Sequence, residues 1–348
     1  GSVRRWSSPR RRRDGFADSG ARSKSAACVS PRRFPISQSF DALQEPRTRA
    51  HSAWRSPWPM PPSSISPMTN PFPTSDLARL IGLPAPVRGL ALLAALRFVA
   101  LPDLVFAAVA PQDVDELLER GLAFRLPLQR RLTDEQRTDV IALRRAGALE
   151  LARALDVDPA SVPYSTRSTC NRSAMFLDHT LARNRFALLL ARDLRSGVPP
   201  AALLSWEHDA DRLADAVHVM QAPGRIGRQP LVADGLAIVG AVRGIEGLLV
   251  EIDRGTERPG YMARKYAGYL AWWRSGGPKR RFDVATLRLL TIAPDARRAE
   301  RLREACSTAT EKRAGGLFWF ASEDDLVRDG LRAPVWSTTR DARITLWS

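Results

Sequence analysis

The chain has 348 residues, of which 44% are hydrophobic and only three are cysteines, so it can form one large or two modest domains and is not a small disulfide-stabilised scaffold. Lys and Arg number 53 against 37 Asp and Glu, which gives a formal net charge of +16. The first 70 residues hold 13 of the basic residues and four of the acidic ones, so they carry more than half of this excess. A basic excess favours contact with polyanions, because neutralised phosphates release condensed counterions.

The cysteines Cys28, Cys170 and Cys306 are far apart and form no C-x-x-C pair. This spacing predicts neither a disulfide framework nor a zinc site, and a reducing cytoplasm is the simplest setting. The most apolar stretch, residues 80–110, is interrupted by charged residues and prolines, so no membrane span is expected.

Residues 1–73 contain 11 of the 26 prolines and no sustained apolar periodicity, which predicts a disordered basic segment. Its run Arg10 to Arg13 is either an arm that binds nucleic acid or a solvated run of charge. Met60 and Met68 lie shortly before the first periodic segment. The sequence therefore leaves open whether residues 1–67 belong to the natural protein.

Residues 74–155 are predicted to form a domain of short helices. Helices over 87–96, 101–106 and 111–122 are followed by a short strand at 124–126, and this order resembles a winged helix-turn-helix. The third helix carries four acidic side chains and one arginine, which disfavours contact with phosphates, so packing or dimerisation is the alternative use of this fold. Residues 134–155 are predicted to be one amphipathic trailing helix, and 156–175 a linker.

Residues 176–336 are predicted to form a second domain of class α/β, with a mixed sheet flanked by helices and a C-terminal tail at 337–348. Its first helix, 176–195, has Asn184 within the apolar stripe and His179 on another face, and both are interpreted as structural polar residues. The predicted elements that follow are strands at 201–207, 230–239 and 246–253, a helix at 261–274, a strand at 284–292, a helix at 295–309 and a strand at 317–321.

Three acidic residues fall at the ends of these strands. Asp234 precedes Gly235, and Glu251 ends an apolar run with Asp253 two residues later on the same side of the strand. Converging carboxylates repel each other unless a cation lies between them, and oxygen ligands suit Mg²⁺. Lys265, one turn into the next helix, can reach back over the strand ends and stabilise a charged phosphoryl transition state. The predicted catalytic set is thus Asp234, Glu251, Asp253 and Lys265, with Asp234 and Glu251 as Mg²⁺ ligands.

This order of elements and residues resembles the PD-(D/E)xK restriction-endonuclease-like core, in which an Asp starts the second strand and a Glu-x-Lys lies on the third. More specifically, the chain resembles the replication-relaxation family of bacterial plasmid and mobile-element proteins over about 176–336. The segments that carry this resemblance are LDHTLARN at 177–184, LLSWE at 203–207, ADG at 233–235, EIDRGTE at 251–257 and KYAGY at 265–269. The resemblance implies a DNA-binding role in plasmid replication, relaxation or mobilisation.

Asp253 occupies the position where the nuclease pattern has lysine, so cleavage would require Lys265 to serve as a lysine that has migrated to the helix. Three alternatives stay open: a DNA-binding protein without hydrolysis, an active Mg²⁺-dependent endonuclease, and a protein-interaction module without a nucleic-acid partner.

An exposed basic loop, Lys279 to Arg281, and Arg254 are the predicted contacts to DNA phosphates. The expected partner is therefore DNA and not a membrane, with a homodimer and other replication or mobilisation proteins left open.

Overall fold

The computed structural model describes residues 71–126, 139–166, 173–195, 201–222, 225–241, 244–313, 315–341 and 343–347. Most of the segment predicted to be disordered, up to residue 70, lies outside the described residues. Phe72, which falls in the segment predicted to be disordered, is buried, and its backbone N–H donates to the Ser161 hydroxyl at 2.7 Å. No helix within the described ranges combines the length and the apolar character that a membrane span requires.

The N-terminal part consists of short helices around a small antiparallel sheet. Its elements are α1 (Leu77–Ile81), α2 (Ala85–Leu96), β1 (Phe98–Ala100), α3 (Leu101–Phe106), α4 (Pro111–Glu119), β2 (Ala123–Arg125), β3 (Val140–Leu143) and α5 (Arg145–Leu155). The strands lie in the order β1-β3-β2. Proline occupies the first turn of α2, α3 and α4, where the missing N–H costs no helical hydrogen bond.

The prediction of one helix over residues 134–155 is wrong. Residues 134–138 lie outside the described residues, β3 follows, and the helix begins only at Arg145. All four residues of β3 are buried, because the strand lies between β1 and β2. Val140 and Ile141 are β-branched and favour this extended, doubly paired position over a helix.

The C-terminal part is a mixed sheet with helices on both faces, as the sequence predicts. Its elements are α6 (Ala174–Arg195), β4 (Ala201–Glu207), α7 (Ala210–Leu213), β5 (Asp215–Ala222), β6 (Arg225–Leu231), β7 (Gly235–Ala241), β8 (Gly244–Ile252), α8 (Pro259–Arg274), α9 (Gly277–Phe282), β9 (Thr286–Ala293), α10 (Ala296–Ala309), β10 (Phe318–Ser322), α11 (Glu323–Asp329) and β11 (Ser337–Thr338). The six-stranded sheet has the order β11-β10-β9-β8-β7-β4. The pairs β8–β9 and β9–β10 are parallel, and the other three pairs are antiparallel.

Two features of this part depart from the prediction. The strand expected at 230–239 is two strands, β6 and β7, separated by the loop Val232–Asp234. In addition, β5 and β6 form a separate two-stranded hairpin inserted between β4 and β7, which local periodicity does not predict. The hairpin packs on α8 through buried Val217 and Leu231.

Alternation along the strands divides the core between the two sheet faces. Val250 and Ile252 of β8 belong to the hydrophobic cluster that includes α6 and the N-terminal helices. Leu249 points to the opposite face, where α8 and α10 cover the sheet. The same period of two places Glu251 on the α8 side. The first cluster contains buried residues from both the N-terminal and the C-terminal parts, such as Leu93 and Phe186.

Candidate functional site

Glu251 occupies the penultimate position of β8 and contacts two side chains of α8. Its side chain is only 3% exposed, and Oε2 lies 2.5 Å from Nζ of Lys265. The Tyr269 hydroxyl donates to Oε1 of the same carboxylate. Lys265 and Tyr269 are four residues apart, so they lie on the same face of the helix and meet one acceptor together.

Burial and charge act against each other at this pair. Burial, reinforced by the negative charge of Asp234, raises the pKa of Glu251 to about 7, although Lys265 and Tyr269 pull it down. For Lys265, burial acts to lower the pKa, but the attraction of Glu251 and Asp234 is larger and raises it. Lys265 therefore remains an ammonium ion across the physiological range. Burial also raises the pKa of Tyr269 well above its ordinary value, so this residue is a neutral hydroxyl donor.

Asp234 lies in the loop before β7 and is tied to β8 beside Glu251. Its backbone N–H donates to the carbonyl of Val250 at 2.9 Å, and its Oδ2 accepts the backbone N–H of Ile252 at 2.8 Å. These two bonds hold the carboxylate next to the end of β8. Since β7 and β8 are antiparallel, the start of β7 and the end of β8 share one edge, and the predicted approach of Asp234 and Glu251 is a consequence of this pairing.

The residue after Asp234 has a steric requirement. A Cβ atom on Gly235 would lie 2.4 Å from the ring of Trp206, which is buried on the neighbouring strand β4. Any larger residue would displace this large core side chain. Glycine at position 235 therefore keeps the backbone that carries Asp234 close against the sheet.

His179 of α6 completes the surroundings of Asp234. Its Nε2 lies 3.3 Å from Asp234 Oδ2. The hydrogen bond to Asp234 raises the pKa of His179 although burial opposes the shift. Burial would raise the pKa of Asp234, but the His179 bond and the Lys265 charge outweigh it and lower it. His179, which the sequence analysis interprets as a structural polar residue, thus contacts a residue of the predicted catalytic set. The local sequence around His179 does not indicate this contact, because Asp234 is far away along the chain.

Asp253 is held by a different partner. Arg298 of α10 donates to both of its oxygens, at 2.7 and 2.9 Å, and the backbone N–H of Gly255 donates a third bond at 3.1 Å. The side chains of Asp253 and Arg298 are 1% and 12% exposed. No described contact joins Asp253 to Asp234 or Glu251. The structure therefore assembles Asp234, Glu251 and Lys265 and leaves Asp253 in a buried ion pair beside them.

Arg254, predicted to contact DNA, is engaged within the protein. Its guanidinium binds Asp178 of α6 at 2.8 and 3.0 Å and Glu323 of α11 at 2.6 Å. Glu323 also binds Arg185, at 2.8 Å, and Arg185 binds Asp103 of α3 at 2.8 Å. This chain of ion pairs connects the loop after Glu251 to the N-terminal part. Arg254 therefore stabilises this junction, and a phosphate would have to compete with these carboxylates for its donors.

The predicted basic loop at Lys279 to Arg281 is a short helix, α9, with Pro278 in its first turn. Lys279 pairs with Asp283, Arg280 donates to the Ser275 carbonyl, and Arg281 donates to the Arg212 carbonyl at 2.8 Å. The Lys279–Asp283 pair is exposed, and such pairs contribute about 0–1 kcal/mol. This pairing does not prevent Lys279 from contacting an anion.

Asn184 is buried between α6 and the N-terminal part. Its side-chain amide donates to the carbonyls of Leu96 and Phe98 at 2.9 and 2.7 Å, and its oxygen accepts from Arg183. Asn184 thus satisfies the carbonyls where α2 passes into β1. This geometry agrees with the structural role inferred for a polar amide inside an apolar stripe.

The carboxylates of Asp234 and Glu251 are ligands of the kind that Mg²⁺ prefers, but they are only two. Among the described residues, no group of three His, Cys, Asp or Glu side chains could surround a metal ion. Mg²⁺ is commonly held by one or two carboxylates together with waters and substrate phosphates, and Asp234 and Glu251 supply two carboxylates. Both Glu251 oxygens already accept hydrogen bonds from Lys265 and Tyr269, so a metal ion would compete with these donors.

The fold and the site define a mixed α/β protein with two carboxylates and a lysine at one sheet edge. The family model described as replication-relaxation matches residues 90–287, more than half of the chain. The chain belongs to this family, and the match begins in the N-terminal part, well before the region in which the resemblance was found. Membership supports a role in replication or relaxation. Comparison with curated proteins and with solved structures gives no match.

Proposed function

We propose that this protein binds DNA in the replication, relaxation or mobilisation of a plasmid or mobile element. The observation that carries the proposal is the convergence of Asp234, Glu251 and Lys265 at one sheet edge, with the lysine 2.5 Å from a buried glutamate. Two carboxylates and a cation form a set suited to phosphodiester groups, because the carboxylates can hold a metal ion and the ammonium can neutralise phosphate charge. Family membership supports the setting in replication.

The N-terminal part has the element order of a DNA-binding fold, but the charge of its helix α4 is unfavourable for DNA contact. Its order of helix, strand, two helices and two strands, with the sheet order β1-β3-β2, is what we expect of a winged helix. In that fold α4 would be the recognition helix, but it carries Asp113, Asp115, Glu116 and Glu119. The neighbouring Arg120 is paired with Glu116 and Glu150. Acidic side chains repel phosphates, so we assign DNA contact to the C-terminal part and packing to the N-terminal part.

The second candidate function is Mg²⁺-dependent DNA cleavage, and the contact of Lys265 with Glu251 favours it. In this version Lys265, whose Nζ lies 2.5 Å from Glu251 Oε2, would take the role of the lysine that the restriction-endonuclease-like pattern has on its third strand. In this version Asp234 and Glu251 would hold Mg²⁺, which supplies Lewis-acid stabilisation of phosphoryl charge. Lys265 would orient water or stabilise the charged transition state, and His179 would fix the orientation of Asp234. Asp253 would support the site through Arg298 and would not bind metal.

One experiment separates these functions. Supercoiled plasmid is incubated with the full chain and Mg²⁺ or Mn²⁺, and DNA binding is measured in parallel by gel shift. Asp234→Asn and Glu251→Gln are the site variants, and Glu304→Gln on the exposed face of α10 is the matched control. We expect DNA binding by the wild type and by Glu304→Gln.

Nicking that disappears in both site variants and persists in Glu304→Gln supports the nuclease. Binding without nicking supports an accessory protein. Absence of DNA binding at physiological salt would refute the proposal and favour a protein-interaction module.

A further inference from the structure

A cavity of about 610 Å³ lies between the β5–β6 hairpin and α8, directly beside the site. The hairpin contributes Arg228 and Gln229 to its lining, and α8 contributes Tyr261, Arg264 and Lys265. Lys265 also contacts Glu251 at 2.5 Å, so the cavity and the carboxylate site share one residue. Lys265 therefore lies between the cavity and the sheet edge at which Asp234 and Glu251 lie.

The walls of the cavity are held in place. Gln229 of β6 donates to the Arg264 carbonyl at 3.0 Å, and the indole N–H of Trp272 donates to Asp215 of β5 at 2.7 Å. Both contacts join the hairpin to α8, and buried Val217 packs beneath it. These contacts fix the spacing between the hairpin and α8, so the cavity between them is part of the fold.

The lining is cationic. It contains Arg228, Arg264 and Lys265, and none of the described residues that line it is acidic. Arg228 and Arg264 are exposed, and their side chains make no ion pair or hydrogen bond within the described ranges. Two arginines without anionic partners can donate to phosphate oxygens without first breaking an ion pair.

Tyr261 adds an aromatic surface to the cations. It lies in the first turn of α8, lines the cavity and is 48% exposed, although large aromatic side chains are usually buried for their apolar area. Aromatic rings beside cations stack unpaired bases while the cations follow the backbone. Cavities of roughly 300 to 1,000 Å³ enclose single groups of small-molecule size, so this one accommodates a nucleotide unit and not a double helix.

We infer that the groove between the β5–β6 hairpin and α8 binds single-stranded DNA and leads its backbone to the Asp234–Glu251 edge. Arg228 and Arg264 contact phosphates, and Tyr261 stacks a base. This inference rests on the proposed DNA-binding function and specifies the form of DNA and the residues that hold it. A protein that opens or relaxes plasmid DNA encounters such unpaired strands.

The test uses fluorescence anisotropy with the full chain, an oligothymidylate of about 16 nucleotides, and a duplex of the same length. Arg228→Ala and Arg264→Ala should each weaken single-strand binding about five- to tenfold. Each should also reduce the slope of log K against log salt by about 0.7, because one phosphate contact is lost. Tyr261→Ala should weaken binding about tenfold without changing this slope, and Tyr261→Phe should restore it.

Arg274→Ala is the matched control, since Arg274 is an exposed arginine in the last turn of α8 and does not line the cavity. It should change single-strand affinity less than about twofold, and melting curves check that every variant is folded. If the three groove variants behave like Arg274→Ala while the wild type binds DNA, the groove assignment is wrong and the proposed function stands. If the groove variants lost affinity for duplex and for single-stranded DNA to the same extent, the assignment of the groove to single strands would also be wrong. If the wild type binds neither form, the proposed function itself fails.

Discussion

Replacing Lys265 with methionine would leave the Glu251 carboxylate buried beside Asp234 without its cation. Breaking a buried ion pair by removing one partner costs about 3–5 kcal/mol when the remaining charge stays ionised. Glu251 can avoid this cost by taking up a proton. Its pKa of about 7 already lies above the unfolded value of 4.5, so its contribution to stability is fully present below pH 4.5 and is lost as the pH rises through 7.

The variant raises this pKa further, because the attraction of Lys265 is lost. Below pH 7 the folded wild type already carries a mostly protonated Glu251, and the lysine then contributes little through this pair. Above pH 7 the extra cost grows by about 1.4 kcal/mol per pH unit until the carboxyl group of the variant ionises as well. We therefore expect Lys265→Met to lower the free energy of unfolding by less than about 1 kcal/mol at pH 6 and by about 3 kcal/mol at pH 9.

Urea unfolding of the full chain, followed by tryptophan fluorescence at both pH values, measures this difference. Lys279→Met is the control, because Lys279 is exposed in a surface pair and its loss should change stability by at most about 0.5 kcal/mol at either pH. Combining Lys265→Met with Glu251→Gln should abolish the pH-dependent part of the loss. An equal loss at pH 6 and pH 9, or no loss at pH 9, would refute the reasoning from the buried pair.

Three further outcomes are expected. Asn184→Ala should lower the free energy of unfolding by about 2 kcal/mol in urea titrations, because two carbonyls lose their donor, and a change below about 0.5 kcal/mol would contradict this role. Asp253→Asn should cost about 3 kcal/mol, because Arg298 loses its anion, and should leave DNA affinity unchanged at low temperature; reduced affinity in a folded variant would instead assign Asp253 to the DNA site. The pKa of His179, measured by NMR, should lie above 6.5 and fall towards 6.5 in Asp234→Asn. An unchanged pKa in this variant would show that Asp234 does not raise it.

Local periodicity was sufficient for the elements that carry the site. The apolar stripe predicted a helix at 176–195, and the apolar run before Glu251 predicted a strand at 246–253; the structure has α6 over Ala174–Arg195 and β8 over Gly244–Ile252. The mixed sheet followed from strands linked through helices, and the family resemblance is confirmed by the match over 90–287. In these cases the signal lies within a few residues and reflects burial on one face.

Sequence periodicity was insufficient where long-range pairing decides the structure. Residues 140–143 were predicted to be part of a helix, but in the structure they form β3, which pairs with β1 on one side and β2 on the other. The hairpin of β5 and β6 shows only weak alternation, and its place against α8 depends on the sheet that surrounds it.

The roles of the charged residues depended most on tertiary structure. Glu251 and Asp253 are both acidic and were predicted to lie on the same side of one strand, but β8 ends at Ile252, and Glu251 meets Lys265 whereas Asp253 meets Arg298. The sequence by itself determined which strand ends carry carboxylates and that a lysine follows. Only the tertiary structure decided which cation each carboxylate meets, because ion pairing acts over a few ångströms between residues that lie far apart along the chain.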